Sequence, residues 1–379
     1  MSHHAEPPAE LAEGPVLAAC HGDIGIITLN RPSALNALSL DMVRTLTAIL
    51  LAWRADVRVA AVLLRGAGRE GKAPAFCAGG DIRFFHQAAL AGDPRLEDFF
   101  TEEYALDHLI HVYPKPVMAL VDGVCMGGGM GLSQGAGLRV VAETARLAMP
   151  ETQIGLFPDV GGGWFLARCP GHLGEYLGLT GQTLNGAEAM SAGQADHLVP
   201  ADRWPALIES LVRPLAAGLG SISIAERIDL SLRRHAVAAD PTGLADLRPS
   251  IDLHFSLPSL AVIVASLAED PSGFAQSTLA QIHKRSPIML SVTLAQIRRA
   301  RGMSLAEDLR MERDLVRHCF HLRPGTASET VEGIRALAID KDHQPRWNPG
   351  HIDDVSTAEV EAFFVSPWPA HVHPLRQLD

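Results

Sequence analysis

The chain has 379 residues, 47% hydrophobic and 20% charged, a balance that excludes disordered, collagen-like and coiled-coil proteins. Its 43 acidic and 32 basic side chains give a net charge of −11, which argues against a nucleic-acid-binding protein. The five cysteines are scattered, so neither a disulfide framework nor a zinc ribbon is expected. We find no secretion signal and no apolar run of the ~20 residues that a membrane span needs, and we expect a cytoplasmic protein that binds no membrane.

From residue 16 to about residue 200, strand patterns alternate with helical patterns. Ser39 is a candidate N-cap, and apolar residues follow it at helical spacing as far as Arg54. Apolar runs such as 59–64 are typical of strands buried on both faces. The predicted strands are 16–20, 24–29, 59–64, 116–121, 138–141 and 146–148. The first two flank a turn-forming segment and are expected to form a hairpin, and a polar helix is predicted around residues 96–112. Strand-strand-helix units, in which each helix leads back to a nearly parallel strand, predict an α/β fold.

From about residue 222 the pattern becomes helical, with few strand signals. The predicted helices there are 273–282, 287–301 and 305–318, and residues 339–342 are expected to form a short strand or a loop. We therefore predict two domains, a core over residues 12–215 and a helical C-terminal domain over residues 216–379.

The glycine-dense segment 126–135 permits three interpretations. A G-x-S-x-G pattern surrounds Ser133 and matches the nucleophile elbow of serine hydrolases, although here a glycine run separates the strand from the serine. The glycines from Gly129 onwards, with Glu151 about 20 residues later, are similar to a dinucleotide-binding loop whose spacing is off by one residue. In the third interpretation, the glycines let backbone N–H groups at a helix N-terminus approach a ligand closely.

A second loop of small residues, 76–81, also follows a strand and enters a helix. Two such loops can aim two backbone N–H donors at one oxygen atom. That pair of donors is an oxyanion hole, and the loss of one donor typically slows catalysis by roughly 10²–10³-fold.

Four motifs in this order resemble the enoyl-CoA hydratase/isomerase (crotonase) superfamily. They are Ile27–Leu38, Phe76–Asp81, Met126–Gly129 and Ala148–Glu151. The resemblance implies a spiral of β-β-α units, here with a helical C-terminal domain, and acyl-CoA thioesters as substrates. It also implies an oxyanion hole formed by the backbone N–H groups of Gly80 and Gly128. Members of the superfamily usually form trimers or larger assemblies, so a homo-oligomer is possible, and the sequence leaves the oligomeric state open.

Within the superfamily, the chain resembles the 3-hydroxyisobutyryl-CoA hydrolases. A hydratase carries a catalytic glutamate where this chain has Gly131, whereas segment 150–163 is similar to the hydrolase signature with Glu151 and Asp159. Glu103 falls on a substrate-binding position of the hydrolases. The resemblance implies that Glu151 and Asp159 are the catalytic residues of a thioester hydrolase. The expected reaction converts 3-hydroxyisobutyryl-CoA to 3-hydroxyisobutyrate and CoA in valine catabolism.

The chemistry of these residue types agrees with that expectation. Thioester hydrolysis passes through a tetrahedral oxyanion, which needs preorganised donors on one side and a base or nucleophile on the other. Glu151 can attack the carbonyl carbon or activate water, and the sequence leaves both routes open. Asp159, eight residues later, can approach Glu151 across a turn and raise the pKa of one carboxyl by like-charge repulsion.

Three alternatives remain at this point: a hydratase or isomerase of the same fold, a serine hydrolase that uses Ser133, and a CoA-binding scaffold without catalysis. No separate cofactor is expected, because CoA would be part of the substrate. Two histidine pairs with a spacing of three residues, His108 with His111 and His318 with His321, lack a third ligand, so no metal site is expected.

Overall fold

Two β-sheets organise the first half of the protein in this computed structural model, which describes residues 11–68, 74–212, 222–240 and 243–379. The strands are β1 (Val16–His21), β2 (Ile24–Leu29), β3 (Ala61–Gly66), β4 (Ala75–Cys77), β5 (Val117–Val121), β6 (Val124–Met126), β7 (Leu138–Val141), β8 (Arg146–Ala148) and β9 (His197–Leu198). The larger sheet has the order β1-β2-β3-β5-β7-β9 and the smaller sheet has the order β4-β6-β8.

The chain winds through the two sheets as a spiral. Strands β1 and β2 form the predicted antiparallel hairpin, and the remaining pairs in both sheets are parallel. Strands β3, β5 and β7 enter the larger sheet in turn, and each is followed by one strand of the smaller sheet. The predicted spiral of β-β-α units is therefore present.

Helices follow the strand pairs and continue through the second half of the chain. They are α1 (Leu40–Ala55), α2 (Ile82–Ala91), α3 (Arg95–His111), α4 (Gly128–Gly135), α5 (Gly162–Leu166), α6 (Leu173–Thr180), α7 (Gly186–Ser191), α8 (Trp204–Val212), α9 (Ile224–His235), α10 (Gly243–Phe255), α11 (Leu260–Glu269), α12 (Gly273–Ile282), α13 (Pro287–Ala300), α14 (Leu305–His321), α15 (Glu329–Ile334) and α16 (Thr357–Phe363). The predicted N-cap of α1 is confirmed, because Ser39 accepts a hydrogen bond from the Met42 N–H.

Helix α3 buries several of its polar side chains. The sequence predicts a polar helix there, yet Glu103, Tyr104 and Asp107 are all buried in the structure. They lie on one face because residues three and four positions apart share a side of a helix. The polar residues of this predicted helix therefore include two carboxyls that are buried inside the protein.

The smaller sheet brings three loops together. Its strands β4, β6 and β8 are parallel, with Cys77 paired to Cys125 and Met126 paired to Ala148. Parallel strands in register have their carboxyl ends at the same edge of the sheet, so the loops that leave them meet there. Those loops lead to Gly80, Gly128 and Glu151 of the predicted site, whereas Glu103 lies within α3.

The helices of the second half pack directly on the core. Helix α13 packs on α5 and α6, α14 packs on α3, and α15 packs on α2. One hydrophobic cluster runs continuously from Leu29 in β2 to Ile288 in α13 and Phe320 in α14. The predicted domain boundary at 215/216 lies outside the described residues, and the two-domain division stays a prediction.

The segment predicted as a short strand or loop near residue 339 is not a strand. A short π-helical turn, Arg335–Ile339, follows α15, and residues 340–351 then form neither helix nor strand. In the described ranges, no helix combines the length and the apolar character needed to cross a bilayer.

Candidate active site

The loops after β4 and β6 touch at their glycines. A Cβ atom placed on Gly79, whose φ is 100°, would lie 3.5 Å from both the Cα of Gly127 and the backbone N of Gly128. Gly127 itself has a φ of 49°, in the region that glycine occupies most easily. Glycine at both positions thus allows the two backbones to approach each other directly.

Two backbone N–H groups of these loops are available as donors. The Leu38 N–H donates to the Gly79 carbonyl (2.8 Å) and the Leu38 carbonyl accepts from the Asp81 N–H (3.0 Å), so the N–H of the intervening Gly80 lies on the side away from Leu38. Gly128 is the first residue of α4, where an N–H has no acceptor within its own helix. Both glycines line one cavity of about 370 Å³.

Glu151 lies at the same edge of the sheet. It follows β8 and begins a short 3₁₀ turn, Glu151–Ile154, that ends at Gly155 with a φ of 68°. Its side chain is buried, and a Cβ atom on Gly127 would lie 3.0 Å from its Oε1. Among the described residues its Oε2 has no hydrogen-bond partner, although it is buried in the wall of the cavity. Such an atom is available to a substrate or to water.

Asp159 also lines the cavity, and Tyr104 holds it in place. The Tyr104 hydroxyl donates to Oδ2 of Asp159 at 2.9 Å, and both side chains are buried. Burial raises the pKa of Asp159 to about 7, while the hydrogen bond from Tyr104 opposes this increase. The pKa of Glu151 is raised well above its usual value, first by burial and then by the charge of Asp159. The two carboxyls therefore resist simultaneous ionisation.

Glu103 completes the predicted set. Its Oε1 lies so close to Gly128 that a Cβ atom there would overlap it, and among the described residues this oxygen has no hydrogen-bond partner. Burial raises the pKa of Glu103, and Asp107 and Asp159 add to the increase. All five predicted site residues line the same cavity, and their roles stay predictions.

Asp107 is a fourth buried carboxyl that the sequence reasoning missed. It lies one helical turn after Glu103, and neither of its carboxylate oxygens has a partner in the described parts of the chain. Burial, followed by the charge of Asp159, raises its pKa. The i, i+4 spacing from Glu103 is a signal that places both carboxyls on one helix face once that face is known to be buried.

Gly131 has no room for a side chain. A Cβ atom there would lie 2.7 Å from Oδ2 of Asp107 and 2.7 Å from Cβ of Val160. A glutamate at this position, which the resemblance assigns to hydratases, would therefore require both neighbours to move.

Ser133 is not positioned as a nucleophile. It is fully buried inside α4, and its Oγ donates to the carbonyl of Met130 at 3.1 Å. It does not line the cavity that contains Glu151. The serine-hydrolase alternative requires an exposed Oγ at a strand-to-helix turn, and the structure contradicts it.

The cavity walls are largely apolar. Phe85 and Phe100 lie on one side, and Ile154, Leu156 and Leu337 add aliphatic surface. Leu337 belongs to the π-helical turn after α15, so the helical half of the chain contributes to the wall. Motif-based reasoning missed this residue, since no local pattern marks it. The cavity combines apolar walls with a few convergent polar groups, as small-molecule sites do.

Comparison with known proteins identifies the class to which this fold and site belong. A family model described as enoyl-CoA hydratase/isomerase matches residues 24–364, and the chain belongs to this family. Among its relatives, a Xenopus tropicalis protein named "3-hydroxyisobutyryl-CoA hydrolase, mitochondrial" is 41% identical over 93% of this chain and 89% of the relative. The Homo sapiens protein of the same name is 38% identical over 97% of this chain and 91% of the relative.

Two solved structures share the fold over nearly the whole chain. One, titled a carnitinyl-CoA dehydratase from Mycobacterium thermoresistibile, has a TM-score of 0.84 at 38% identity and covers 94% of this chain and 98% of its own. The other, titled an enoyl-CoA hydratase from Rhodobacter sphaeroides 2.4.1, has a TM-score of 0.82 at 36% identity and covers 93% and 98%. The predicted fold class, including the helical second half, is confirmed.

The expected cytoplasmic location is wrong by the same comparison. The relatives that match over most of the chain are named as mitochondrial proteins. Scattered cysteines without a disulfide pattern argue only against an oxidising compartment, and they do not distinguish the cytoplasm from other compartments.

Proposed function

We propose that this protein hydrolyses 3-hydroxyisobutyryl-CoA to 3-hydroxyisobutyrate and CoA. The observation that carries the proposal is the position of Glu151, a buried carboxyl with a free oxygen beside the Gly127–Gly128 turn, in the same cavity as Gly80. The names of relatives 38–41% identical over most of the chain support the same activity.

The two glycine N–H groups, of Gly80 and Gly128, bind the thioester oxygen in this mechanism. As the tetrahedral intermediate forms, negative charge develops on that oxygen, and fixed donors in a buried cavity stabilise it. Glu151 adds to the carbonyl carbon to form an anhydride that water then cleaves, or it removes a proton from the attacking water. In both routes the C–S bond breaks, the CoA sulfur takes a proton, and the acid is released.

Shared protonation of Glu151 and Asp159 supplies the acid and the base. The raised pKa of each carboxyl means that the pair keeps one proton under conditions where two exposed carboxyls would be fully ionised. The ionised member acts as base or nucleophile, and the protonated member donates to the leaving sulfur or to water. Tyr104 fixes the orientation of Asp159 for this exchange.

Glu103 is the group we assign to the substrate's 3-hydroxyl. Its Oε1, which has no partner among the described residues, lies against Gly128, one of the two proposed oxyanion donors. A buried acceptor without a partner favours a substrate that brings a hydroxyl and disfavours one that leaves the acceptor unpaired.

The test is free-thiol release from a panel of acyl-CoA thioesters with and without a 3-hydroxyl. Glu151→Gln is expected to lower kcat by at least about 10³-fold and to leave CoA affinity within about threefold, because the oxyanion donors are untouched. Glu175→Gln is the matched control, since Glu175 is a buried glutamate whose carboxylate accepts from Arg301 outside the cavity. Near-normal turnover by Glu151→Gln contradicts the proposal.

A hydratase or dehydratase activity is the second candidate, because the two similar solved structures carry those titles. The packing of Gly131 against Asp107 and Val160 argues against it, since no second catalytic glutamate fits at that position. Incubation with crotonyl-CoA separates the two activities. Loss of the enoyl absorbance without thiol release indicates hydration, and thiol release from the 3-hydroxy thioester indicates hydrolysis.

Three further features belong to the same proposal. The enzyme needs no cofactor beyond the CoA of its substrate, acts in valine catabolism, and assembles as a homo-oligomer. Turnover that is unchanged after treatment with EDTA supports the first. Light scattering at the concentration of the activity assay determines the assembly state.

A further inference from the structure

The segment that carries Asp159, residues 158–164, has an unusual backbone. Val160 has a φ of 57° and Gly161 a φ of 85°, so two consecutive residues occupy the left-handed region. A β-branched residue there is a genuine outlier that persists only where surrounding contacts enforce it. Something outside the segment must therefore hold it.

Two carboxylates of α14 bind the backbone of this segment. The Glu312 carboxylate accepts hydrogen bonds from Gly161 N–H at Oε2 (2.7 Å) and from Gly163 N–H at Oε1 (2.9 Å). Asp308 accepts from the Trp164 N–H at 2.7 Å. Successive N–H groups after left-handed residues form a concave anion site, and here a side chain about 150 residues away in sequence fills it.

Helix α13 supplies a third contact on the other side of Asp159. The Gln296 Nε2 donates to the carbonyl of Pro158 (2.7 Å) and to Oε1 of Glu312 (2.9 Å). One connected side-chain network thus binds the backbone of Pro158, Gly161 and Gly163, on both sides of Asp159. Gln296, Asp308 and Glu312 are all fully buried.

Burying the two carboxyls of this network costs more folding free energy than a purely structural contact requires. Burial raises the pKa of Asp308 to about 7, and burial followed by the charge of Asp308 raises the pKa of Glu312 well above its usual value, so the two carboxyls resist simultaneous ionisation. Apolar side chains of similar volume usually stabilise a buried position at least as well as a pair of carboxyls. What apolar residues cannot do is to fix three backbone N–H groups and one carbonyl in a single geometry.

We propose that Glu312, together with Gln296 and Asp308, is a positioning cluster that holds Asp159 in place against Tyr104 and Glu151. The inference deepens the proposed hydrolysis and rests on it. Helices α13 and α14 of the second half of the chain thereby contribute to the active site, because they fix the orientation of the Asp159 carboxyl. The oxyanion donors Gly80 and Gly128 are not bound by this cluster, so it acts on turnover and leaves substrate affinity unchanged.

The decisive variant is Glu312→Gln, which keeps the size but places an amide N–H against one of the two bound backbone N–H groups. We expect kcat for 3-hydroxyisobutyryl-CoA to fall about 10²-fold, as a misplacement near 1 Å does, with KM changed by less than about threefold. Glu175→Gln, a buried carboxyl bound to Arg301, is the matched control and is expected to keep wild-type kcat.

A double-mutant cycle separates positioning from a general loss of structure. If Glu312 acts through Asp159, Glu312→Gln lowers kcat much less in the Asp159→Asn background than in the wild type, because residues that act as a unit are non-additive. An equal fractional loss in both backgrounds, a rise in KM at unchanged kcat, or no loss at all overturns the proposal. If Glu312→Gln does not fold, Gln296→Leu enters the same cycle, with an expected loss of about tenfold.

A measurement of stability, which does not depend on turnover, makes a second test that is independent of the proposed function. Asp159→Asn removes a buried carboxyl and is expected to shift the urea midpoint upward at about pH 8. That shift is expected to shrink by at least half in the Glu312→Gln background. There Asp159→Asn is compared with a protein in which Asp159 is already displaced and less buried, so its removal relieves less. An unchanged shift overturns the positioning role. If no acyl-CoA thioester releases thiol with the wild-type chain, the proposed function fails while the urea comparison still decides this inference.

Discussion

Replacing Asp159 with asparagine is expected to stabilise the protein more strongly as the pH rises. Asp159 is buried and has a pKa of about 7, against 3.8 for an ordinary aspartate. The groups that face it are Tyr104, which donates to it, and the carboxyls of Glu103, Asp107 and Glu151, whose raised pKa values include repulsion from it. Ionising Asp159 in the folded protein is therefore unfavourable.

The sign and size of the effect follow from proton linkage. A carboxyl whose folded pKa is raised contributes stability that is fully present below about pH 4 and is lost as the pH rises through about 7. Each pH unit between the two pKa values corresponds to about 1.4 kcal/mol. Between about pH 5 and about pH 8, the wild type therefore loses about 3 kcal/mol that the asparagine variant, which cannot ionise, keeps.

Urea unfolding followed by circular dichroism at these two pH values measures the difference. The free energy of unfolding of Asp159→Asn minus that of the wild type is expected to be about 3 kcal/mol larger at the higher pH. Asp202→Asn, at an exposed position in the short turn before α8, is the control and is expected to show no such change. A difference that does not grow with pH refutes the assignment of Asp159 as a buried carboxyl with a raised pKa.

Three further substitutions test the site. Gly128→Ala places a Cβ atom over Oε1 of Glu103 at the N-terminus of α4. We expect kcat, measured by thiol release, to fall at least about 10²-fold. Activity within threefold of wild type contradicts the oxyanion assignment. Gly131→Ala brings a Cβ atom to 2.7 Å from Asp107 and Val160. This overpacking is expected to lower the free energy of unfolding, measured in urea, by about 1–3 kcal/mol. Unchanged stability would mean that the site has room for a side chain. Ser133→Ala loses the Oγ contacts with the Met130 carbonyl and the Cys125 Sγ, so kcat is expected to stay within about twofold. An inactive variant would revive the serine nucleophile.

Local sequence patterns predicted much of the fold and the centre of the site. The hairpin of β1 and β2, the Ser39 cap and strands β7 and β8 depend on neighbours within a few residues, and they appear in the structure near their predicted bounds. Strands β4 and β6, which lead into the glycine loops, were not predicted. Gly80, Gly128 and Glu151 each follow a strand of the small sheet, so their meeting at one edge follows from parallel pairing.

Contacts between distant parts of the chain were beyond such patterns. The hydrogen bond from Tyr104 to Asp159 spans 55 residues, and Glu312 reaches Gly161 across 151. The burial of Glu103 and Asp107 on α3 was also missed, because their helix face becomes recognisable as buried only once α4 is known to pack against it. The i, i+4 spacing of these two acids is a signal only after that contact is known.

By itself the sequence determined the alternation of strands and helices, the glycines that let two backbones meet, and the acid that follows them, because these depend on local stereochemistry and on the sheet edge. Only the tertiary structure decided which carboxyls are buried, which of them share protons, and which helices of the second half hold Asp159. Burial and long-range hydrogen bonding set those properties, and both depend on how elements far apart in the chain pack together.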